Sequence, residues 1–335
     1  MAKGYNPTEY MYSSARIRAL ETGIITGERI LRFTEAENSQ NIISALADCG
    51  FEMIRDESDN RIKRAETLES ALAAGYDEIS SMECAGAVDF LRYQYDANNI
   101  KAVIKCNARS ISPDGMMCRF GTVPPDGVKR AFEDKDYFRF PKHMAEAIPE
   151  AEEAFAATAN PQKIDFIIDK ACFADMLCVA DDSGIELAKR LVRLKIDTVN
   201  VMMTLRIMRM KLGKTSEGIL REVYIPGGSF DCEELVQMLD SDEETFAKEL
   251  LYGDCADIGK GIIDGATLGT LERLADDIWM HCVKEAKYVS FGAEIAIGYV
   301  AALEYAVKNI RIVLAGKDAG LKPDVIRERL RECYV

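Results

Sequence analysis

Apolar residues recur along most of this chain three and four positions apart, with charged residues filling the faces between them. That is the pattern of helices that bury one side. Helix-start signals stand in front of these stretches. Thr34-x-x-Glu37, Ser183-x-x-Glu186, Asp231-x-x-Glu234 and Ser241-x-x-Glu244 read as capping boxes or close relatives, and Gly269-x-x-Glu272 as a weaker one with glycine in the cap position. Asn160-Pro161 and Lys322-Pro323 place proline where a first helical turn tolerates it. Period-two alternation bounded by turn residues is scarce, so the pattern predicts an all-α fold.

The helical pattern repeats. LRYQYDANNIKAVIK from Leu91, VRLKIDTVNVMMTLR from Val192 and AALEYAVKNIRIVLA from Ala301 align on Asn99, Asn200 and Asn309. Asp96 and Asp197 stand three residues before the first two asparagines, and Ala306 takes that place in the third copy. A second trio opens on Gly23, Gly121 and Gly228, with Ile25, Val123 or Phe230 two residues on and a short amphipathic helix after it. Both markers recur roughly every hundred residues, which predicts three related helical units, residues 1–115, 116–222 and 223–335. The joints are the turn-rich SISPDGMMCRFGTVPPDG and YIPGGSFD, short enough for closely packed units.

Composition narrows the classes. Of 335 residues 48% are hydrophobic and 29% charged, an ordinary globular balance, and the formal net charge of -14 argues against wrapping a nucleic-acid backbone. The most apolar long segment, Phe291 to Gly316, is interrupted by Glu294, Glu304, Lys308 and Arg311, so no membrane span is expected. MAKGYNPTEYMY lacks the apolar run of a secretory signal. The ten scattered cysteines therefore read as reduced thiols of a cytosolic protein.

Candidate chemistry is thin. Gly213-Lys214-Thr215 ends like a phosphate-binding loop, but Met208 occupies the position of the first glycine and a helical pattern precedes it. A helix stop explains it better, and the third copy has Gly316-Lys317 and then Gly320 at the matching place. His143 and His281 have no companion cysteine pair or H-E-x-x-H spacing, Asp181-Asp182 reads as helix initiation, and no G-x-S-x-G is present. No catalytic residue, metal or cofactor is expected. Arg55 to Arg64 reads as a solvated surface. Cations do gather on the repeated helices: Lys101, Lys105 and Arg109, then Arg206, Arg209, Lys211 and Lys214, then Lys308, Arg311 and Lys317. They serve either helix dipoles and solubility or a shared partner surface. Asp96 and Asn99 suit a structural joint between packed helices.

FGAEIAIGYVAALEYAVKNIRIVLAGKDAGLKPDVIRERLRECYV, YMYSSARIRALETGII and DTVNVMMTLRIMRMK resemble the C subunit of the archaeal and bacterial V/A-type rotary ATPases, the counterpart of the eukaryotic d subunit. The likeness covers essentially the whole chain. Two positions depart from the family pattern: Ile295 stands where proline is usual after F-G-x-E, and Ala306 where an acidic residue is usual. The resemblance implies three similar helical units around a pseudo-threefold axis, forming a funnel. It implies a non-catalytic rotor part on the cytoplasmic face of the cell membrane, peripheral to it, between the proteolipid ring and the central shaft subunits D and F. On that reading Arg206, Arg209 and Arg311 are candidates for gripping the shaft, while Asp96, Asn99, Asp197, Asn200, Glu294 and Asn309 are structural positions of the repeat. Two alternatives remain open at this stage. One is a helical enzyme using the glycine-rich Tyr252 to Gly269 as a ligand loop; the other is an open helical-repeat adaptor.

Overall fold

The computed structural model describes residues 5–56, 58 and 60–335. The first four residues of the N-terminal stretch and two positions of the Arg55–Arg64 run therefore lie outside the described residues. Among those described, the secondary structure is all helical apart from one isolated antiparallel bridge between Arg55 and Ile62. After α1 (Met11–Glu21), a first run of helices comprises α2 (Gly27–Glu35), α3 (Ser39–Asp48), α4 (Arg64–Ser80) and α5 (Asp89–Ala108). A second comprises α6 (Pro125–Asp134), α7 (Lys142–Thr158), α8 (Pro161–Ser183) and α9 (Glu186–Met210), followed by α10 (Thr215–Val223). A third comprises α11 (Cys232–Leu239), α12 (Glu243–Leu250), α13 (Ala256–Ile263), α14 (Leu268–Val283) and α15 (Glu294–Asp318), followed by α16 (Pro323–Arg327).

The helix starts follow capping chemistry, with some reassignment of the caps. Asp231 and Glu234 form a complete capping box at α11, and Asn160 caps α8 with Pro161 in its first turn. Thr34 is instead buried near the end of α2, where its hydroxyl donates to the Leu31 carbonyl, and Asn38 caps α3. At α12 the capping oxygen belongs to Asp242, not Ser241, and at α14 to Thr267, not Gly269. A cap needs an extended residue just outside the helix, and the spacing alone places that residue only to within one or two positions.

Two compact units result. Ala87–Phe246, with Tyr5, forms one of them. Within it α8 packs against α5, α7 and α9. Ile100, Val103 and Ile104 of α5, Ile164 and Ile168 of α8, and Leu191 and Ile196 of α9 are all buried. Lys101 to Asp169 at 2.6 Å and Lys105 to Asp165 at 2.5 Å fix α5 antiparallel to α8, since the cation numbers rise as the carboxylate numbers fall.

Asn6–Gly86 and Ala247–Val335 form the other unit, built round α15, which packs against α1 to α4, α14 and α16. Sixteen of the twenty-five α15 residues are buried, which makes it a central helix and not one with a single apolar stripe. Its start, where Ile295 stands, has no side-chain cap of its own. Ser14 of α1 supplies the anchor, its hydroxyl accepting from the Gly292 amide at 3.0 Å, and Ile295 is fully buried.

Candidate functional site

Each repeated asparagine holds a piece of non-helical chain. Asn99 of α5 donates from Nδ2 to the Cys118 carbonyl and accepts from the Cys118 amide, both at 2.7 Å. Asn200 of α9 does the same to Ile225, at 2.7 and 3.0 Å, and Asn309 of α15 to Arg331, at 2.9 Å in both directions. A carboxamide offers one donor and one acceptor in a plane, so it replaces a backbone partner for a residue with no ladder to join. All three asparagines are buried, and the amides they satisfy would otherwise be costly orphans. Among the described residues, the same chemistry is thus built three times on the longest helices of the three runs.

Asp96 and Asp197 add a second contact four residues further along each held segment. Asp96 accepts from the Thr122 amide and hydroxyl at 2.9 and 2.6 Å and from the Val123 amide at 3.0 Å. Asp197 accepts from the Ser229 amide and hydroxyl at 2.6 and 2.8 Å. The residue before each hydroxyl is Gly121 or Gly228, and a Cβ on either would lie 2.2 Å from the carboxylate oxygen. These glycines are required for close approach. Burial pushes the Asp96 carboxyl above its ordinary value, opposed by the hydrogen bonds from Thr122 and Val123. Arg92 completes the first clamp, donating to the carbonyls of Phe120 at 3.1 Å and Gly121 at 2.7 Å.

The third copy changes three positions together. Counting from the residue held by asparagine, Ala306 replaces the aspartate, Tyr334 the glycine and Val335 the hydroxyl residue. A carboxylate, the space beside it and its donor have gone as a set. Two acids of α14 hold the segment instead: Asp276 accepts from Arg331 at 3.0 Å and from Lys308 at 2.5 Å, and Asp277 accepts from the Glu332 amide at 2.7 Å. Burial raises the Asp277 carboxyl and holds the Tyr305 hydroxyl, beside Asp276, well above the ordinary phenol range. The Val335 carbonyl then accepts from the Gly27 amide at 2.8 Å, where α2 begins. Gly27 stands four residues after Gly23, as Pro125 does after Gly121 and Cys232 after Gly228, so the third held segment leads in space to the helix that opens the first run.

The candidate grip residues do not share one environment. Arg206 and Arg209 lie on the last turns of α9, half-buried, and Arg209 makes a bidentate pair with Glu243 at 2.9 to 3.2 Å. Arg311 is exposed on α15, 3.9 Å from Glu69. Lys101, Lys105 and Lys308 are committed to carboxylates within their own units. Glu294 is the first residue of α15.

The other sequence signals resolve into structure. Lys211 ends α9 in the left-handed region, Gly213 follows with φ +62°, and Thr215 opens α10, so the GKT triplet is a helix-to-helix turn. Gly316 proves to be interior to α15, where Ile326 packs on it, and the stop falls at Gly320 with φ +67°. His143 lies on a groove of about 710 Å³ along α7 and α8, its Nδ1 2.8 Å from Asp175 Oδ1. The same carboxylate accepts the His143 and Met144 amides at 2.9 Å each, which makes Asp175 a cap on α7 contributed by α8. His281 is exposed in the last turn of α14. The glycine-rich Tyr252 to Gly269 contains α13, in which Gly259 lets the helix approach the Ala247 carbonyl. Among the described residues no group of three acidic, histidine or cysteine side chains is placed to hold a metal, and no helix is long and apolar enough to cross a membrane.

Known proteins share this sequence over its length. The chain is 26% identical to the C subunit of the A-type ATP synthase of Thermococcus kodakarensis, over 97% of this chain and 91% of that protein. It is 25% identical to the corresponding A-type ATP synthase protein of Desulfurococcus, over 96% and 90% of the two chains. It is 24% identical to the C subunit of the V-type sodium ATPase of Enterococcus hirae, over 72% and 73%. Residues 13 to 329 match the family described as ATP synthase (C/AC39) subunit, a span that takes in all three asparagine positions, and the chain belongs to that family.

Proposed function

We propose that this protein is a non-catalytic rotor subunit of a V/A-type ATPase or ATP synthase, coupling the central shaft subunits D and F to the membrane proteolipid ring. It works on the cytoplasmic face of the cell membrane and touches the membrane through the ring. Family membership over nearly the whole chain carries the reading. The physical support is stiffness. A part that passes torque must not yield in the segments between its helices, and here such segments are tied to long helices by buried, bidentate side-chain contacts.

The three clamps also support a division into three related helical repeats; their arrangement round a pseudo-threefold axis, as a funnel, is part of the proposal and comes from the family resemblance alone. The Val335 to Gly27 hydrogen bond favours a repeat that closes on itself over the open end of an adaptor solenoid. The shaft end would enter the mouth of the funnel, with Arg206 and Arg311 among the side chains that meet it. Arg209 would do so only in competition with Glu243.

The test is capture of purified D and F subunits by this chain at low and high salt. The reading requires a stable complex; a folded chain that captures neither subunit at any salt concentration overturns it.

A further inference from the structure

We infer that residues 333–335 form a latch, a short strap that swings on Cys333 between a closed state tying α1 and α2 to the helices of the third run and an open state that releases them. The inference concerns the chain by itself and does not rest on the rotor reading.

Chain order sets this joint apart from the other two. After the segment held by Asn99 the backbone continues into α6, and after the one held by Asn200 it continues into α11. The segment held by Asn309 meets α2, which precedes it in the chain, so no peptide bond can join them. The Val335 carbonyl, accepting from the Gly27 amide at 2.8 Å, takes the place of that connection.

A slot receives the strap. Tyr334 is buried, and its hydroxyl donates to Glu21 of α1 at 3.3 Å. The phenol lies against Gly298 of α15, where a Cβ would stand 2.7 Å from the phenol oxygen. The first two clamps need glycine in the held segment; here the glycine belongs to the helix that receives the tyrosine. Arg18 of α1 braces the wall of the slot by donating to the carbonyls of Ala286 at 2.7 Å and Val289 at 2.9 Å. Lys287, from the 3-10 turn Lys284–Tyr288, stands over the Tyr334 ring, 4.8 Å from its centre. The slot is thus shaped to one side chain and built from elements that only the closed strap joins at this point.

The hold weakens sharply at Cys333. Just before it, Arg331 is fixed by Asn309 in both directions and by Asp276, and Glu332 by its amide's bond to Asp277 and an ion pair with Lys284. Beyond it the hold is one side chain in its slot and one backbone hydrogen bond, with Val335 43% exposed. Residues 331–335 belong to no helix or strand. A segment held at few points opens at lower free energy than one held at many, so the tip comes away while the Asn309 clamp stays shut.

The geometry allows the latch to be locked. A Cβ on Gly27 would lie 3.4 Å from the Cys333 Cβ, beside the disulfide spacing of about 3.5–4.5 Å, and Gly27 has no positive φ to disfavour a side chain. G27C is treated with oxidised glutathione, which takes up two electrons and two protons as the new thiol and Cys333 join, and the bond is mapped by peptide mass spectrometry. Native-state hydrogen exchange is then read at the amide of residue 27, with the Arg331 amide as internal reference. In the wild type the residue-27 amide is expected to be at least tenfold less protected than Arg331. Oxidised G27C should raise it to the Arg331 level, and dithiothreitol should lower it again in the same sample. Y334S should lower it about tenfold further and leave Arg331 unchanged, which separates emptying of the slot from loss of the clamp. Equal protection at residue 27 and Arg331 in the wild type overturns the inference. So does folded G27C that forms no bond to Cys333, so does a lock that leaves residue 27 as before, and so does a Y334S chain that loses protection at both amides together. The lock leaves Tyr334 untouched, so it decides the matter even where Y334S does not fold.

Discussion

The clamps at Asn99 and Asn200 and the clamp at Asn309 use one asparagine geometry with two different supporting casts. In the first two, an aspartate on the same helix reaches a serine or threonine past a glycine that leaves it room. In the third the helix contributes Ala306, and the carboxylates come from α14 as Asp276 and Asp277. The shared part is the contact that satisfies a lone stretch of backbone. The exchanged part shows that a buried carboxylate persists only with its space and its donors, and that all of these change together when it goes.

This comparison can be broken most sharply by moving the aspartate. Ala306→Asp places a carboxylate at a position 7% exposed, where Tyr334 and Val335 stand in place of the glycine and hydroxyl. The expected loss is about 4 kcal/mol in urea unfolding, enough to threaten folding. Gly228→Ala is next. Its Cβ would displace Asp197 from the Ser229 amide and hydroxyl, a loss of about 3 kcal/mol, and Asp197→Ala in the same background should add little because that contact has already gone.

The smallest effect is an alkaline pH dependence from Tyr305 of the third clamp. The Tyr305 phenol is held well above its ordinary value by burial beside Asp276, so above about pH 10 the unfolded chain releases a proton that the folded chain retains. Stability from this group is full below about pH 10 and falls as the pH climbs further. Tyr305→Phe should cost less than about 1 kcal/mol at neutral pH, because the two contacts of its hydroxyl are 3.3 and 3.4 Å long. It should also flatten the alkaline fall in unfolding free energy between about pH 10 and 11.

Much of this was legible in the sequence. The all-α fold, the asparagine register and the glycine trio follow from period and alignment, because helices write their geometry into local spacing. The partners of those residues do not. Asn99, Asn200 and Asn309 each reach a residue 19 to 25 positions away, across segments whose path no local pattern fixes. Arg92, Asp276 and Asp277 were missed for the same reason. A signal did exist in Ala306, Tyr334 and Val335, which appear as matched departures once the C-terminal tail is aligned with the two earlier joints. The helix-stop role of Gly316 fails because glycine serves both helix ends and close helix contacts, and only the packing of Ile326 distinguishes them.

The most direct test of the central claim, that irregular segments here are held as firmly as the helices, is native-state hydrogen exchange at three amides: Cys118, Ile225 and Arg331. Each donates to an asparagine side chain and none lies in a helix. The account predicts that they exchange as slowly as the buried core of α5, α9 and α15, through the same large opening. Exchange at the rate of the exposed turns would mean that the segments open on their own, and would contradict a clamp that stiffens the molecule.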